Sequence, residues 1–515
     1  MLSIPVLLAF VACMLVIHYA RSRWNHACNA RNWGCASVPR YPTDILGLSS
    51  LKESLAADKA KQIPPMIQGR LEKMTALEQR PVNTFRIRQM GRENIFTCEP
   101  ANVQALLATK FKHFELGSGR RTTMYPLLGL GIFTSDGEHW SHSRAMLRPQ
   151  FTREQISDLD LEENHVQQAM QAMPINPASG WTSSTDIQAI FFRLTIDSAT
   201  EFLFGESAGS QAEAIRNGGT LPADHFSGDF DRGQWYAAQR TRFEKFHWLV
   251  DNKESRDINQ RVHDYVDGFV NKALKARAEG KPLSSHYVFS EALSASTQDP
   301  IELRSQLLNI LLAGRDTTAS LLSWSLLMLA RHPDFFQKLR KTVLEEFGPY
   351  SSRDAITFAS LKACRYLQYF MNEVLRLFPV VPINRRVATC DTFLPVGGGP
   401  DGKLPVYVRA GQAVIYSQFV TQRRKDLWGE DAESFNPDRW FERRPGWEHL
   451  PFNGGPRVCI GQQFALTEAG YVLVRLLQRF DAVEDAYPER EIKYGVSLTL
   501  APGDPVVVRL HEAAP

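Results

Sequence analysis

Apolar residues return every three or four positions through the middle of the chain, in residues 184–204, 255–279, 300–331, 333–347 and 358–377. That spacing turns one face of an α-helix toward a core, so a helix is predicted over each stretch. Short β-branched or aromatic runs predict strands at 82–90, 406–416 and 494–510, the last with Pro502 and Gly503 in a turn. The triple glycine at 397–399 lies in a polar, hairpin-like stretch and predicts a turn. The strands do not alternate with the helices, which excludes a doubly wound sheet. The predicted fold class is mainly α with small peripheral β-sheets. No repeat and no low-complexity tract divides residues 61–515, which read as one domain.

The first twenty residues differ in kind. Residues 2–20 are apolar except for Ser3, His18 and Tyr19. As a helix, such a run of about 19 residues reaches about 28 Å, close to the thickness of a hydrocarbon core. Arg21, Arg23, Arg31 and Arg40 follow it and no Lys or Arg precedes it, so the bulk of the chain is expected on the cytosolic side. A cleaved secretory signal would have a basic start and a shorter apolar stretch. Residues 1–20 are therefore read as a single transmembrane anchor. Residues 21–60, with Pro39 and Pro42, are read as a juxtamembrane linker.

Composition changes this picture little. The 515 residues are 43% hydrophobic and 22% charged, with 59 Lys plus Arg against 56 Asp plus Glu, a net +3. That balance gives no phosphate-attracting field, and no nucleic-acid partner is expected. The cysteines, at 13, 28, 35, 98, 364, 390 and 459, form no C-x-x-C pair. A zinc ribbon, a dithiol redox motif and a disulfide framework are all excluded.

One cysteine has a context with chemistry in it. Phe452-Asn453-Gly454-Gly455-Pro456-Arg457-Val458-Cys459-Ile460-Gly461 runs directly into a helical pattern. Backbone amides at a helix start favour an anion, and a thiolate held there can ligate a metal. A buried, inert cysteine beside a tight turn is the bland alternative. The string as a whole matches F-x-x-G-x-R-x-C-x-G, and on it the chain resembles the cytochrome P450 family. The resemblance implies haem b as cofactor, with Cys459 as the axial iron ligand. It also implies glycines that let backbone pass close to the flat ring, Phe452 in the haem loop, and Arg457 on a propionate.

Further motifs follow in the family's order. Ala313-Gly314-Arg315-Asp316-Thr317-Thr318 lies inside the 300–331 helix and resembles the oxygen-binding segment. Glycine and hydroxyl side chains weaken the helical ladder there, and Asp316 with Thr317 are the implied proton donors. The same residues alone would read as a polar patch on a helix. Glu373 and Arg376, three apart on a helix, with Arg439 in Phe435-Asn436-Pro437-Asp438-Arg439, resemble the family's buried charge network, a structural role. Trp140 and Arg144 resemble its W-x-x-x-R, and Arg386 its basic position after that helix; all three are implied propionate donors.

The resemblance spans residues 60–515, and its strongest echoes are Gly131 to Gly137, Arg144 to Phe151, Phe192 to Gly205 and Pro451 to Gly455. Together they resemble the fungal branch that hydroxylates n-alkanes and the terminal carbon of fatty acids. Leu307, Leu308, Leu311, Leu312, Val380, Val381 and Ile383 are candidates for an apolar pocket, and the aromatic stretch 226–250 for its mouth. A hydrophobic small-molecule substrate, an endoplasmic-reticulum membrane and a separate NADPH-cytochrome P450 reductase are implied. The last follows from the lack of any G-x-G-x-x-G on a strand–helix turn; a basic patch near Cys459 is its expected docking surface. Two other readings stand beside a monooxygenase. One is a haem-thiolate isomerase or dehydratase, which would have no use for Asp316 and Thr317. The other is a non-catalytic membrane haem protein.

Overall fold

The computed structural model of the chain describes residues 4–152, 159–222, 225–281, 283 and 287–514, apart from the side chains of residues 6, 7 and 9. The apolar stretch at 300–331 forms one unbroken helix, Pro300–Arg331. Asp299 starts it, its carboxylate accepting the Ile301 N–H at 2.9 Å, with Pro300 at the first helical position. The helix is buried on nearly every side and forms the axis of the molecule. Ile187–Phe204, Lys253–Glu279 and Gln462–Arg479 pack along it. Its first half, including Leu307 and Leu311, enters one apolar cluster with Leu203, Phe230 and Val266. Its second half, including Leu322 and Trp324, enters another with Phe370 and Val472. The polar segment Ala313 to Thr318 falls between the two.

The predicted helices start within three residues of the expected positions, most of them on a side-chain cap. Asp186 accepts the Gln188 and Ala189 amides at the head of Ile187–Phe204, and an Asn252–Ser255 capping box opens Lys253–Glu279. The stretch at 358–377 is two helices, Phe358–Ala363 and Arg365–Leu377, parted by an extended Cys364. Leu361 and Leu367 are both buried. Six residues apart they would lie on different faces of one continuous helix, and the break turns both inward.

The strands are short. In chain order they are β1 (Thr84–Gln89), β2 (Arg92–Thr97), β3 (Phe114–Glu115), β4 (Thr185–Asp186), β5 (Asn384–Ala388), β6 (Thr392–Gly398), β7 (Leu404–Val408), β8 (Ala413–Tyr416), β9 (Phe480–Asp485), β10 (Tyr494–Val496), β11 (Leu500–Pro502) and β12 (Val507–Glu512). The main sheet has the order β1-β2-β8-β5-β3 and carries Arg386 opposite Val414. The predicted strand at 406–416 is divided by a turn at Gly411, whose φ of 75° suits glycine. The run at 494–510 is likewise divided, with Pro502 closing β11 rather than lying in the turn. The glycines at 397–399 do belong to a hairpin, β6–β7.

Residues 21–60, read from sequence as a linker, hold helical structure. The first helix runs Ile4–Asn32, well past residue 20, and Leu48–Lys59 is a second. The end of the first helix is fixed to the β6–β7 hairpin. His26 Nδ1 lies 3.0 Å from the Tyr407 hydroxyl and 3.2 Å from Asp391, and Asn29 donates to Asp391 at 3.2 Å. The Trp33 ring packs on Phe393 and Tyr407. Phe10, Val11, Met14, Leu15, Val16 and Ile17 on the same helix are exposed. Among the described residues no helix is long and apolar enough to cross a membrane.

Candidate functional site

Cys459 sits between a 3-10 turn, Gly455–Arg457, and the helix Gln462–Arg479. The loop is held by its own backbone: the Cys459 N–H donates to the Phe452 carbonyl at 3.0 Å, and Val458 to Gly455 at 3.0 Å. Arg144 reaches across and donates to the Val458 carbonyl at 3.0 Å. Cys459 lies deep among protein atoms yet keeps accessible surface, so it faces open space inside the fold. Burial raises its thiol pKa, while the Gly461 amide and the Arg144 charge lower it. The helix-start amides therefore act in the expected direction but are outweighed by desolvation.

Two of the loop glycines are also required by the protein around them. Gly455 has φ of 67°, and a Cβ there would stand 1.8 Å from the Leu107 carbonyl oxygen. At Gly454 a Cβ would stand 2.8 Å from the Trp447 ring. These two glycines let the loop cross other protein segments closely.

Around the loop, guanidinium groups gather from four elements. Arg144 and Trp140 come from the helix Gly137–Leu147, Arg386 from β5, and Arg457 from the Cys459 loop itself. The fourth element, the helix Ser118–Leu128, brings Arg120, which sequence reasoning missed because Ser-Gly-Arg-Arg carries no motif. Arg457 donates to Asp136 at 2.6 Å and to the Ser135 carbonyl at 3.1 Å, and its guanidinium lies 4.4 Å from the Trp140 ring centre. Burial, with repulsion from Arg386, Arg120 and Arg144, pushes the Arg457 pKa down to about 10 despite Asp136. Burial and repulsion from Arg386 and Arg385 push Arg120 down to about 10. The Nε atoms of Arg120 and Arg386 are buried without a partner. Asp136 also accepts the Leu116 and Gly117 amides at 2.9 and 3.0 Å. Buried cations in excess of buried anions, with unused donors, call for an anion. A sulfur donor beside such a set fits haem and its two propionates.

On the central helix, Ala313, Gly314 and Thr317 keep accessible surface while Asp316 and Thr318 are buried. The Thr317 hydroxyl donates to the Ala313 carbonyl at 2.6 Å, the competition for carbonyls predicted from sequence, although the helix is not broken by it. Asp316 points elsewhere: Arg315 donates to it at 2.9 Å and also pairs with Asp231 on the helix Phe226–Phe243. Burial raises the Asp316 pKa to about 6, against the pull of Arg315.

Glu373 and Arg376 are fully buried and joined by two hydrogen bonds of 2.8 Å. Glu373 also accepts from Arg439 at 3.0 Å, from the Trp440 indole at 3.0 Å and from the Asn436 amide at 2.8 Å. Arg376 spends its remaining donors on the carbonyls of Gln422, Ala432 and Ser434. Gln422, which no motif marks, completes the link: its side chain accepts the Leu450 amide at 3.1 Å, just before the Cys459 loop.

A cavity of about 320 Å³ opens between the helices Leu48–Lys59 and Phe226–Phe243 and the main sheet. Val381, Ile383 and Arg120 line it, together with Leu55, Met66 and Leu498. Of the pocket candidates named from sequence, Leu307, Leu308 and Leu311 are instead closed into the core, because the helix carrying them is packed on all sides.

The family model for Cytochrome P450 matches residues 60–504. The chain is 48% identical to a cytochrome P450 monooxygenase, g430, of a Fusarium species over 510 residues, covering 96% of this chain and 87% of that one. It is 44% identical to the cytochrome P450 monooxygenase alt2 of Alternaria solani, covering 93% and 91%. It is 46% identical to cytochrome P450 52A12 of Debaryomyces hansenii, covering 90% of each. A match over nearly the whole chain, joined to a buried site with a sulfur and an anion-seeking arginine cluster, leads to one conclusion: the chain belongs to the cytochrome P450 family and is a haem-containing monooxygenase.

Proposed function

We propose that this monooxygenase inserts one oxygen atom of O2 into a C–H bond of a hydrophobic substrate: a fatty acid, an alkane or a lipid-like secondary metabolite. Its electrons come from NADPH through a separate NADPH-cytochrome P450 reductase. Haem held by Cys459 supplies the activation of dioxygen. Trp140, Arg144, Arg386 and Arg457, joined by Arg120, hold the propionates. Phe452 fixes the loop through the carbonyl that takes the Cys459 amide. Thr317, accessible on the central helix, hands a proton toward the oxygen site, and Asp316 replenishes it. Glu373, Arg376 and Arg439 hold the loop from behind.

The observation that carries this reading is Cys459, deep among protein atoms yet keeping accessible surface, beside buried arginines with unused donors. The apolar wall of the cavity supports a hydrocarbon substrate. Exposed Phe246, Trp248 and Leu249, which follow the helix Phe226–Phe243, support a mouth that dips into lipid. The apolar run at residues 2–20, whose described side chains are mostly exposed, supports a single-pass anchor in the endoplasmic-reticulum membrane, with the catalytic domain in the cytosol. The described part of the first helix does not by itself meet the length and apolarity of a span. Arg148, exposed and near enough to act on Arg144, belongs to the basic surface offered to the reductase.

The test uses the reduced holoprotein with carbon monoxide. A strongly red-shifted Soret band, abolished in Cys459→Ser, is expected; the same band in that variant refutes the ligand assignment. A reductase-coupled assay over fatty acids, alkanes and polyketide-like compounds then identifies the substrate class, and an oxygenated product requiring both NADPH and O2 is expected.

A further inference from the structure

Arg315 links the helix Phe226–Phe243, which lines the cavity, to the acid of the central helix. Its guanidinium is buried, with 3% of the side chain exposed, and it holds two carboxylates at once. Asp316, its neighbour, accepts at 2.9 Å. Asp231, on the helix Phe226–Phe243, accepts from both terminal nitrogens, one of them at 2.9 Å. That helix also supplies Ala238, Thr241 and Arg242 to the cavity wall. Asp231 itself is 54% exposed.

We propose that Asp231 is a positioning residue that ties proton supply to closure of the cavity, by sharing Arg315 with Asp316 only while the helix Phe226–Phe243 is seated. This rests on Asp316 serving as the proton donor. With Asp231 in place, Arg315 neutralises two anions, and Asp316 is left under-compensated in its buried position. Its neutral, proton-bearing form is then favoured, in accord with a pKa raised by burial and by Asp231. When the helix lifts, Arg315 serves Asp316 alone, and the carboxylate form becomes the stable one.

The other charges near this pair are committed elsewhere. Arg315 rests over the Phe192 ring of the helix Ile187–Phe204, 4.9 Å from its centre. On that helix Asp197 takes the Ser210 and Gln211 amides, and Arg193 binds Gln211 and the Gly219 carbonyl. On Lys253–Glu279, Arg261 pairs with Asp229 and Asp267 with Arg304. On Gln462–Arg479, Glu468 takes the Ser198 hydroxyl, and on Ser118–Leu128, Arg120 donates to Asn384. The buried Gln234 amide is uncharged and lies beside Asp316.

The test compares holoenzymes carrying Asp231→Asn, Asp231→Glu and Asp316→Asn. The carboxylic-acid infrared band missing from Asp316→Asn is titrated in the others. Its midpoint is expected near about 6 in the parent, about one unit lower in Asp231→Asn and restored in Asp231→Glu. At a pH above both midpoints, that shift leaves about tenfold less proton-bearing Asp316. Turnover at alkaline pH falls in step, with a larger share of electrons lost as hydrogen peroxide. Reciprocity gives a second readout. Hydrogen exchange of residues 226–243 is expected to quicken in Asp231→Asn and to slow in Asp316→Asn, where Arg315 is left wholly to Asp231. An unchanged midpoint in Asp231→Asn, or exchange unaltered in both variants, overturns the proposal. Peroxide loss unchanged in Asp316→Asn would instead overturn the relay role of Asp316, while the infrared midpoint still decides the role of Asp231.

Discussion

At the scale of single residues, the site is governed by what each side chain would leave behind if it were removed. Glu373 satisfies two arginines, an indole and a backbone amide from a position with no solvent. Glu373→Gln leaves the Arg376 charge buried without its carboxylate, and a loss of about 3–5 kcal/mol in urea unfolding is expected. Gly455→Ala forces a side chain into left-handed backbone, at about 1–3 kcal/mol, and into the Leu107 carbonyl. A lower melting temperature and a weakened red-shifted carbon monoxide band in Gly455→Ala check this. His449 is a third case, between the Trp428 and Trp440 rings. Burial and the nearby Arg376 push its pKa down to about 3. The unfolded chain then binds the proton that the folded one refuses, so stability falls as pH drops from about 6.5 toward the folded value. His449→Phe should flatten that part of the acid unfolding curve.

At the scale of elements, ion pairs join segments distant in sequence around the cavity. Arg242, at the end of Phe226–Phe243, donates to Asp58 on Leu48–Lys59 at 2.8 Å and to the Val496 carbonyl of β10 at 2.6 Å. Arg385 on β5 donates to Glu244 at 2.7 Å, and Glu244 has an unusual φ of 46° for a residue with a side chain. One guanidinium thus joins two helices and a strand. Because the pair is partly exposed, Arg242→Ala should cost under about 1 kcal/mol of global stability. Its effect belongs to local opening: faster hydrogen exchange in residues 48–59 and 226–243, with little change in the melting temperature, is expected.

At the scale of the whole molecule, the first helix is two things in one element. Its start exposes apolar side chains, whereas its end is bound to the β6–β7 hairpin through His26, Asn29 and Trp33. Removing residues 1–22 should leave the melting temperature nearly unchanged. Removing residues 1–33 should lower it, since Phe393 and Tyr407 lose the Trp33 ring. The long helices were legible because their apolar spacing persists over many turns, and Cys459, Glu373, Arg376 and Thr317 because short strings carry them. Arg120 and Gln422 were not legible, since each works through partners far away in the chain. The sequence by itself determined that the long apolar-periodic segments are helical, where the sulfur sits and which family the chain resembles, because those depend on local periodicity and contiguous motifs. Only the tertiary structure decided that Gly455 answers to Leu107, that Arg315 serves two carboxylates, and that the segment after residue 20 is docked helix. Each of those rests on the distance between residues far apart in the chain, and local spacing carries no information about it.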